Sequence, residues 1–485
     1  MKRKMLVLLC ACMMLGGCSD NGAVKCEEPS QVASQGSSED HSQGSSEDPS
    51  QGSSEDPSKG SSEDPSKGSS EDPSKGSSED PSKGNNEDPS QGGSGEVRQL
   101  GAPSGREIVP VELRDAWQKA AYFADQSYLE NGGNVLVSPL SLNVALGMVA
   151  EGTTGETAKE LYRYLGTEEY AKWVDQYMSF AEGLKADVNE EYYKYTFCYK
   201  LANSIWVREG DELQKTYQDN VRKLFRAEAA NVNFTGDPVG TAGRINSWCD
   251  EHTNGLIPEI VSPEMLNNPN LASVLVNSLY FESPWAEEWG VREHEFTNLE
   301  GKTTKQDMLI DYNEDGIYFE NDKCTAFAKN YYNGFQFIGI LPKAEGEFRV
   351  SDLDLKSLME SQSYDYEVHA IMPKLNFDTT STCIVDALKA QGVEKIFDPF
   401  CMEFDKMLEG KPLYVSDIIQ KCKIELDEQG TRAAAVTAIF EEDAACAMPD
   451  EVQIKEVFLD RPFAFLIYDS KNDQVVFAGK VTDIQ

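Results

Sequence analysis

In Asn134-Val-Leu-Val-Ser138-Pro139-Leu140-Ser141, Ser138 offers a side-chain oxygen to the orphan N–H groups of a first helical turn. Pro139 follows where its missing N–H costs nothing. Leu140, Val144, Ala145, Met148 and Val149 make the helix so apolar that it belongs deep in a core. Upstream, Val111 to Leu129 places Leu113, Trp117, Ala120, Ala121, Ala124 and Tyr128 near helical spacing, which predicts an amphipathic helix. Downstream, Leu271 to Phe281, Phe335 to Leu341, Ile418 to Leu426, Phe463 to Tyr468 and Gln474 to Val481 are β-rich runs of the length of central strands. The pattern implies the α+β class with large antiparallel sheets.

The N-terminal fifth of the chain follows other rules. Lys2, Arg3 and Lys4 precede the apolar run Met5 to Leu15, too short for a permanent span and shaped like a sorting signal over residues 1–17. From Gln35 an octapeptide such as Gln51-Gly-Ser-Ser-Glu-Asp-Pro-Ser58 repeats seven times. It has no large apolar side chain, so it cannot bury a core, and its acidic pairs and prolines extend it. Residues 18–96 therefore read as a disordered acidic tether and residues 108–485 as one folded domain. Isolated Glu-Asp pairs on flexible chain lack the convergent oxygens of a calcium site.

The formal net charge of -39 argues against binding to DNA, RNA or an anionic membrane surface, which need clustered Lys and Arg. Of the 11 cysteines, seven are dispersed from Cys198 to Cys446 with no Cys-x-x-Cys spacing, so they read as mostly buried free thiols. The folded part holds only His252, His294 and His369, none in a ligand pair, and no metal or cofactor is expected. A hydrolase would have to use one of these three. No Gly-x-Ser-x-Gly elbow, His-Glu-x-x-His or Gly-rich phosphate loop accompanies them, and a catalytic group is not expected.

Several segments, in order, resemble one family, the serpins. They begin with Asn134 to Ser141 and Gly152-Thr-Thr-Gly155-Glu-Thr157. Ile245-Asn246-Ser-Trp248 with Thr253-Asn-Gly255-Leu-Ile257 is similar to the helix that crosses the main sheet. Leu275-Val-Asn277-Ser-Leu-Tyr-Phe281 with Trp285 looks like that sheet's third strand. Met372-Pro373-Lys374-Leu-Asn-Phe377, Glu425-Leu-Asp-Glu428-Gln-Gly430-Thr431 and Arg461-Pro462-Phe463-Ala-Phe465-Leu-Ile467 complete the series. The resemblance implies three β-sheets, about nine helices and an exposed reactive-centre loop. Leu15-Gly16-Gly17-Cys18 likewise resembles the lipobox of bacterial lipoproteins, which implies lipid attachment at Cys18, a lipid-mediated membrane contact and a place in the bacterial cell envelope.

What the serpin resemblance implies is inhibition of a target protease by a suicide substrate. Glu428, Gly430, Thr431, Ala433, Ala434 and Ala435 would form the loop hinge, with the inward-facing Thr431, Ala433 and Ala435 small or β-compatible enough to enter the sheet. Counting as the family does, the reactive bond falls at Ala444-Ala445, with Cys446 or Met448 left open because the stretch to Arg461 runs long. Ser138, Ser141 and Asn277 match the region where the sheet opens, Trp285 the point where the loop first goes in. The histidine usual on the neighbouring strand is Gln420 here. The partner is expected to be an elastase-like serine protease or a papain-like cysteine protease, since no Lys or Arg lies between Ala433 and Gln453. The inhibitor is expected to be a monomer. A non-inhibitory surface binding protein is the alternative, because period-two alternation puts Glu441 and Asp443 on the inward face with Thr431 and Ala433.

Overall fold

The helix start at Ser138 forms as local chemistry dictates: the Ser138 hydroxyl accepts from the Ser141 N–H at 3.2 Å, with Pro139 in the first turn. In this computed structural model the described residues are 116–183, 198–332, 334–431 and 453–484. The signal, the tether, Cys18 and the start of the first predicted helix lie outside them.

The chain runs α1 (Ala116–Asn131), β1 (Val135–Val137), α2 (Pro139–Glu151), α3 (Gly155–Tyr164), α4 (Tyr170–Gly183), β2 (Cys198–Arg208), α5 (Lys215–Phe225) and β3 (Glu228–Val232). There follow α6 (Pro238–His252), α7 (Pro263–Leu266), β4 (Ser273–Pro284), β5 (Gly290–Thr297), β6 (Thr303–Glu320), β7 (Cys324–Asn330) and β8 (Phe335–Pro342). Then come α8 (Leu355–Glu360), β9 (Ser363–Pro373), β10 (Leu375–Ser381), α9 (Ile384–Ala390), β11 (Asp417–Leu426), β12 (Gly430–Thr431), β13 (Ile454–Phe458), β14 (Phe463–Asp469) and β15 (Gln474–Val481).

A six-stranded sheet has the order β10-β11-β12-β4-β2-β3. The other strands form a nine-stranded path, β1-β15-β14-β8-β7-β6-β9-β13, with β5 beside β6. This path is two sheets sharing one long strand. Register shifts between Asn313 and Tyr318 divide β6, so that its first half pairs with β5 and β9 and its last residues with β7. Three sheet surfaces result, accompanied by nine α-helices among the described residues.

Alternation along β4 sorts the two cores. Leu275, Leu279 and Phe281 face the main core, which holds most of α2 and the inner strands. Val274, Val276 and Tyr280 face a second cluster with Trp206, Ile419 and the α6 residues Ala242, Ile245 and Cys249. Each large side chain so buried contributes roughly 1.5–3 kcal/mol. Cys249, Cys324, Cys383, Cys401 and Cys422 are buried free thiols. Burial pushes the Cys249 thiol up to about 12, which keeps it protonated and unreactive.

The sheets are less uniformly antiparallel than the sequence suggested. β2 pairs with β3, β13 with β9 and β11 with β4 in parallel. The last of these forms the candidate site.

Candidate functional site: the seam between β4 and β11

β4 and β11 are direct neighbours from the Val274–Asp417 pair to the Leu279–Cys422 pair, and they run the same way. Each has antiparallel partners elsewhere, β2 for β4 and β10 for β11. Beyond the end of their pairing, β12 stands between them: Thr431 is the Cα partner of Ser283 on β4 and of Leu426 on β11, antiparallel to both. A parallel pair is slightly weaker per residue than an antiparallel one. The seam is thus a place where an antiparallel strand fits, and two residues of one are already seated.

Mid-seam, a buried polar network ties the strands to the start of α2. The Ser138 N–H donates to Gln420 Oε1 at 2.8 Å, and Gln420 Nε2 donates to the Ser138 carbonyl at 2.9 Å and to Asn277 Oδ1. Asn277 Nδ2 in turn donates to Ser141 Oγ at 2.8 Å and to Asn203 Oδ1 on β2. The Ser138 hydroxyl donates to the Val476 carbonyl at 2.8 Å. Gln420, Asn277, Ser138 and Ser141 are all at most 3% exposed, so every bond lost here strands a polar group away from water. The Asn203 amide nitrogen already lacks a partner among the described residues. Where the family's histidine is absent, the glutamine amide both donates and accepts, and so bridges Ser138 and Asn277 by itself.

At the end of the seam a second set of contacts holds the turn between β11 and β12. Trp285 donates its backbone N–H to the Gln429 carbonyl at 3.0 Å and its indole Nε1–H to the Asp427 carbonyl at 2.8 Å. The Trp289 N–H donates to the Glu428 carbonyl at 3.0 Å. Lys374 pairs with the Glu428 carboxylate at 2.5 Å, and the Asp427 carboxylate accepts from the Gln429 N–H at 2.9 Å. The Trp285 ring stacks on Tyr331 with centroids 4.2 Å apart, and the Tyr331 hydroxyl meets the Thr431 hydroxyl at 2.6 Å. Gly430 is required by close approach, because a Cβ there would lie 2.4 Å from the Ser283 carbonyl oxygen and 2.7 Å from Pro284 Cα.

Two predictions follow from this clamp. Trp285→Phe keeps the stacking and removes one buried donor, which costs about 1–2 kcal/mol and lowers the melting temperature of the uncut chain by about 1–3 °C. An unchanged melting curve would show that the indole bond contributes nothing. The second concerns acid. The hydrogen bond from Lys374, with its charge, holds the Glu428 carboxyl below its ordinary 4.5, against partial burial that raises it. The folded form therefore binds this proton less readily than the unfolded chain. The contribution is fully present above pH 4.5 and is lost as the pH falls through the depressed value. It is small, because the pair is over a third exposed on the lysine side. Chemical denaturation of Glu428→Gln and the parent across pH 3 to 6 should converge at the acid end.

The structure brings Ser138, Ser141 and Asn277 into one network and puts Trp285, Glu428, Gly430 and Thr431 together at the seam's end. Ala433, Ala434, Ala435, Glu441, Asp443, Ala444, Ala445, Cys446 and Met448 lie outside the described residues. Asn203 and Tyr331 were missed in the sequence. Asn203 and Ser204 are a polar pair between the apolar Leu201-Ala202 and Ile205-Trp206-Val207 of a β-prone run, a local signal for Asn203, whereas nothing local marks Tyr331 as the partner of a residue a hundred positions on. His252 stacks on Trp248, and its Nδ1 lies 2.8 Å from the Trp248 carbonyl. His294 lies edge-on to Phe458, and His369 bonds Glu367.

Comparison with known proteins agrees with this geometry. Residues 120–484 match a family model described as serpin (serine protease inhibitor). A serpin-like protein of Thermococcus kodakarensis is 30% identical over 362 residues, 72% of this chain and 81% of that protein. The leukocyte elastase inhibitor of Equus caballus is 30% identical over 370 residues, 72% of this chain and 92% of its own. The crystal structure of tengpin, a thermophilic serpin, in the native state superposes with a TM-score of 0.64 at 25% identity, covering 78% of this chain and 96% of that one.

Proposed function

The chain belongs to the serpin family, and from that premise we propose that it inhibits a protease by giving it a bond to cut and then drawing the acylated end into the β4–β11 seam. One observation carries the reading. Counting from Thr431 down both of its partners, Thr437 falls opposite Asn277 on β4 and opposite Gln420 on β11, and Asn277 and Gln420 are themselves Cα partners across the seam. The two edges thus accept one strand in a single register, with no slip on either side. On insertion, Ala433 would face the level of Phe281 and Ile424, and Ala435 that of Leu279 and Cys422, all buried in the main core. Small side chains are what that space admits.

The chemistry needs nothing from this chain but a scissile bond. The hydroxyl of a serine protease attacks the Ala444 carbonyl, the Ala444-Ala445 bond breaks, and Ala445 leaves as a new amino terminus with the proton. The Ala444 ester then awaits water. Before water arrives, the segment from Arg432 onward adds to the sheet and carries the ester with it, about 3.4 Å per residue and on the order of 45 Å in all. Small residues on both sides of the bond suit a shallow-pocketed, elastase-like serine protease, and a papain-like cysteine protease forms the corresponding thioester. The lipid on Cys18 and the acidic repeats would hold this trap in the bacterial cell envelope.

The alternation that faces Glu441 and Asp443 inward favours a second reading, a serpin that is cut or bound without trapping. The register tempers it. Glu441 would arrive opposite Ser273 and Ser416, where β4 begins and just before β11 does, and Asp443 beyond both strands. Incubation with pancreatic elastase followed by a denaturing gel separates the two readings. A band at the summed mass of the two proteins supports trapping, and a clean nick alone supports the second reading.

A further inference from the structure

We propose that the free edge of β5 is a docking site for an extended, basic segment of another protein, which would add to the sheet as one more strand. The reading is independent of trapping. β5 pairs with β6 from the Gly290–Ile310 pair to the Thr297–Thr303 pair and has no strand on its other side among the described residues. That edge nevertheless holds one bond, in which the Thr297 N–H donates to the Asp460 carbonyl at 2.8 Å. Residues of an antiparallel strand alternate between bonding their partner and turning away from it, so Glu295 and Glu293 turn their N–H and C=O groups the same way as Thr297. Side chains of such outward-turned pairs lie close across the ladder. The Thr297 and Thr303 hydroxyls meet at 3.0 Å and Glu295 meets Lys305 at 3.4 Å, as this requires.

The edge opens onto a groove of about 740 Å³, inside the range of about 300–1,000 Å³ for ligand sites. Glu293, Glu295, Glu345 and Asp460 line it. Of these four carboxylates only Glu295 is in an ion pair among the described residues. Burial raises the Asp460 carboxyl above its ordinary 3.8, against a bond from its own backbone and the nearby Arg461 and His294. Arg461 directs its Nη2 to the Pro342 carbonyl at 2.7 Å. Charged side chains on an exposed edge guard it against indiscriminate pairing. Here the unpaired guard is acidic, so it repels a second copy of this chain, whose net charge is -39, and admits a strand that carries lysine or arginine. Backbone bonds to Glu293 and Glu295 would supply affinity, and the carboxylates the choice of partner.

The test is fluorescence anisotropy with the full chain and a labelled short peptide of alternating lysine and valine, capped at both ends. Two isomers of it are N-methylated, one at every lysine nitrogen and the other at every valine nitrogen. An added strand turns only alternate N–H groups toward β5, so one isomer should bind at least about tenfold more weakly and the other about as tightly as the unmodified peptide. Charge reversal in the groove, Glu293→Lys/Glu345→Lys, should weaken the unmodified peptide at least about tenfold and leave the melting temperature unchanged. Should this variant melt earlier, the N-methylated pair still decides on the parent. The acidic repeats attract the same lysines, but alike for all three peptides and for both proteins. Equal binding of the two isomers overturns the proposal, because charge alone then holds the peptide. Equally tight binding of a peptide alternating glutamate and valine overturns it too, as does no binding at all.

Discussion

Replacing Ala435 by glutamate is expected to leave cleavage by elastase intact and to abolish the covalent complex. In the register set by Thr431, position 435 enters between Leu279 and Cys422, both fully buried in the main core. An unpaired carboxylate there costs several kcal/mol, or must take up a proton to enter. That penalty falls on the insertion step alone, because in the uncut chain Leu279 and Cys422 are direct partners with no strand between them. The ester on Ala444 then waits long enough for water, and the protease leaves active. The gel should show the nicked chain accumulating with free enzyme, and more than about ten inhibitor molecules consumed per protease lost, since a barrier raised by only 1.4 kcal/mol already shifts the partition tenfold. Complex formation at the parent's stoichiometry would mean that residue 435 does not pass through the seam. The same change at Glu441 in reverse, Glu441→Ala, should matter far less, because that position arrives at the sheet's end beside two serines.

Asn277→Ala should weaken the uncut protein and spare the cut one. The asparagine amide is the centre of the mid-seam network, and its removal takes one acceptor from the Gln420 amide, which keeps its two bonds to Ser138, and one donor each from Ser141 and Asn203. Buried polar groups left unpaired cost about 1–3 kcal/mol each, so a melting temperature lower by at least about 5 °C follows for the uncut chain. After insertion, a new strand stands between Asn277 and Gln420, and the bond that joined them is already gone. The cut variant should therefore melt within a degree or two of the cut parent. Equal losses in the two states would show that the network serves general packing and does not hold the seam shut.

The legible and illegible parts of this molecule divide along a physical line. The start of α2 could be read at Ser138 and Pro139 because capping is decided within four residues. β4, β8, β11, β14 and β15 were visible as apolar β-rich runs because strand propensity and burial act on each run separately. Which way β11 runs relative to β4 is decided by connections more than a hundred residues long, and no local pattern carries it. That is why mostly antiparallel sheets were expected and the one parallel seam that matters was not. The site shows the same split. Ser138, Ser141 and Asn277 were named through a resemblance, yet the bond pattern that joins them depends on Gln420, whose sequence signal was only a departure from the family. Tyr331 was not named at all, since its hydroxyl gains meaning only when Thr431 is folded against it.

If the uncut chain is held short of a more stable form, one pair of thermal melts reveals it. The purified chain is nicked once in its loop, the protease is removed, and the thermal melts of intact and nicked protein are recorded side by side. Release of the segment after Thr431 into the seam predicts a nicked protein that melts more than about 10 °C above the intact one, a rise that for a domain of this size corresponds to about 8 kcal/mol of added stability. A nicked protein that melts at or below the temperature of the intact chain would contradict the account.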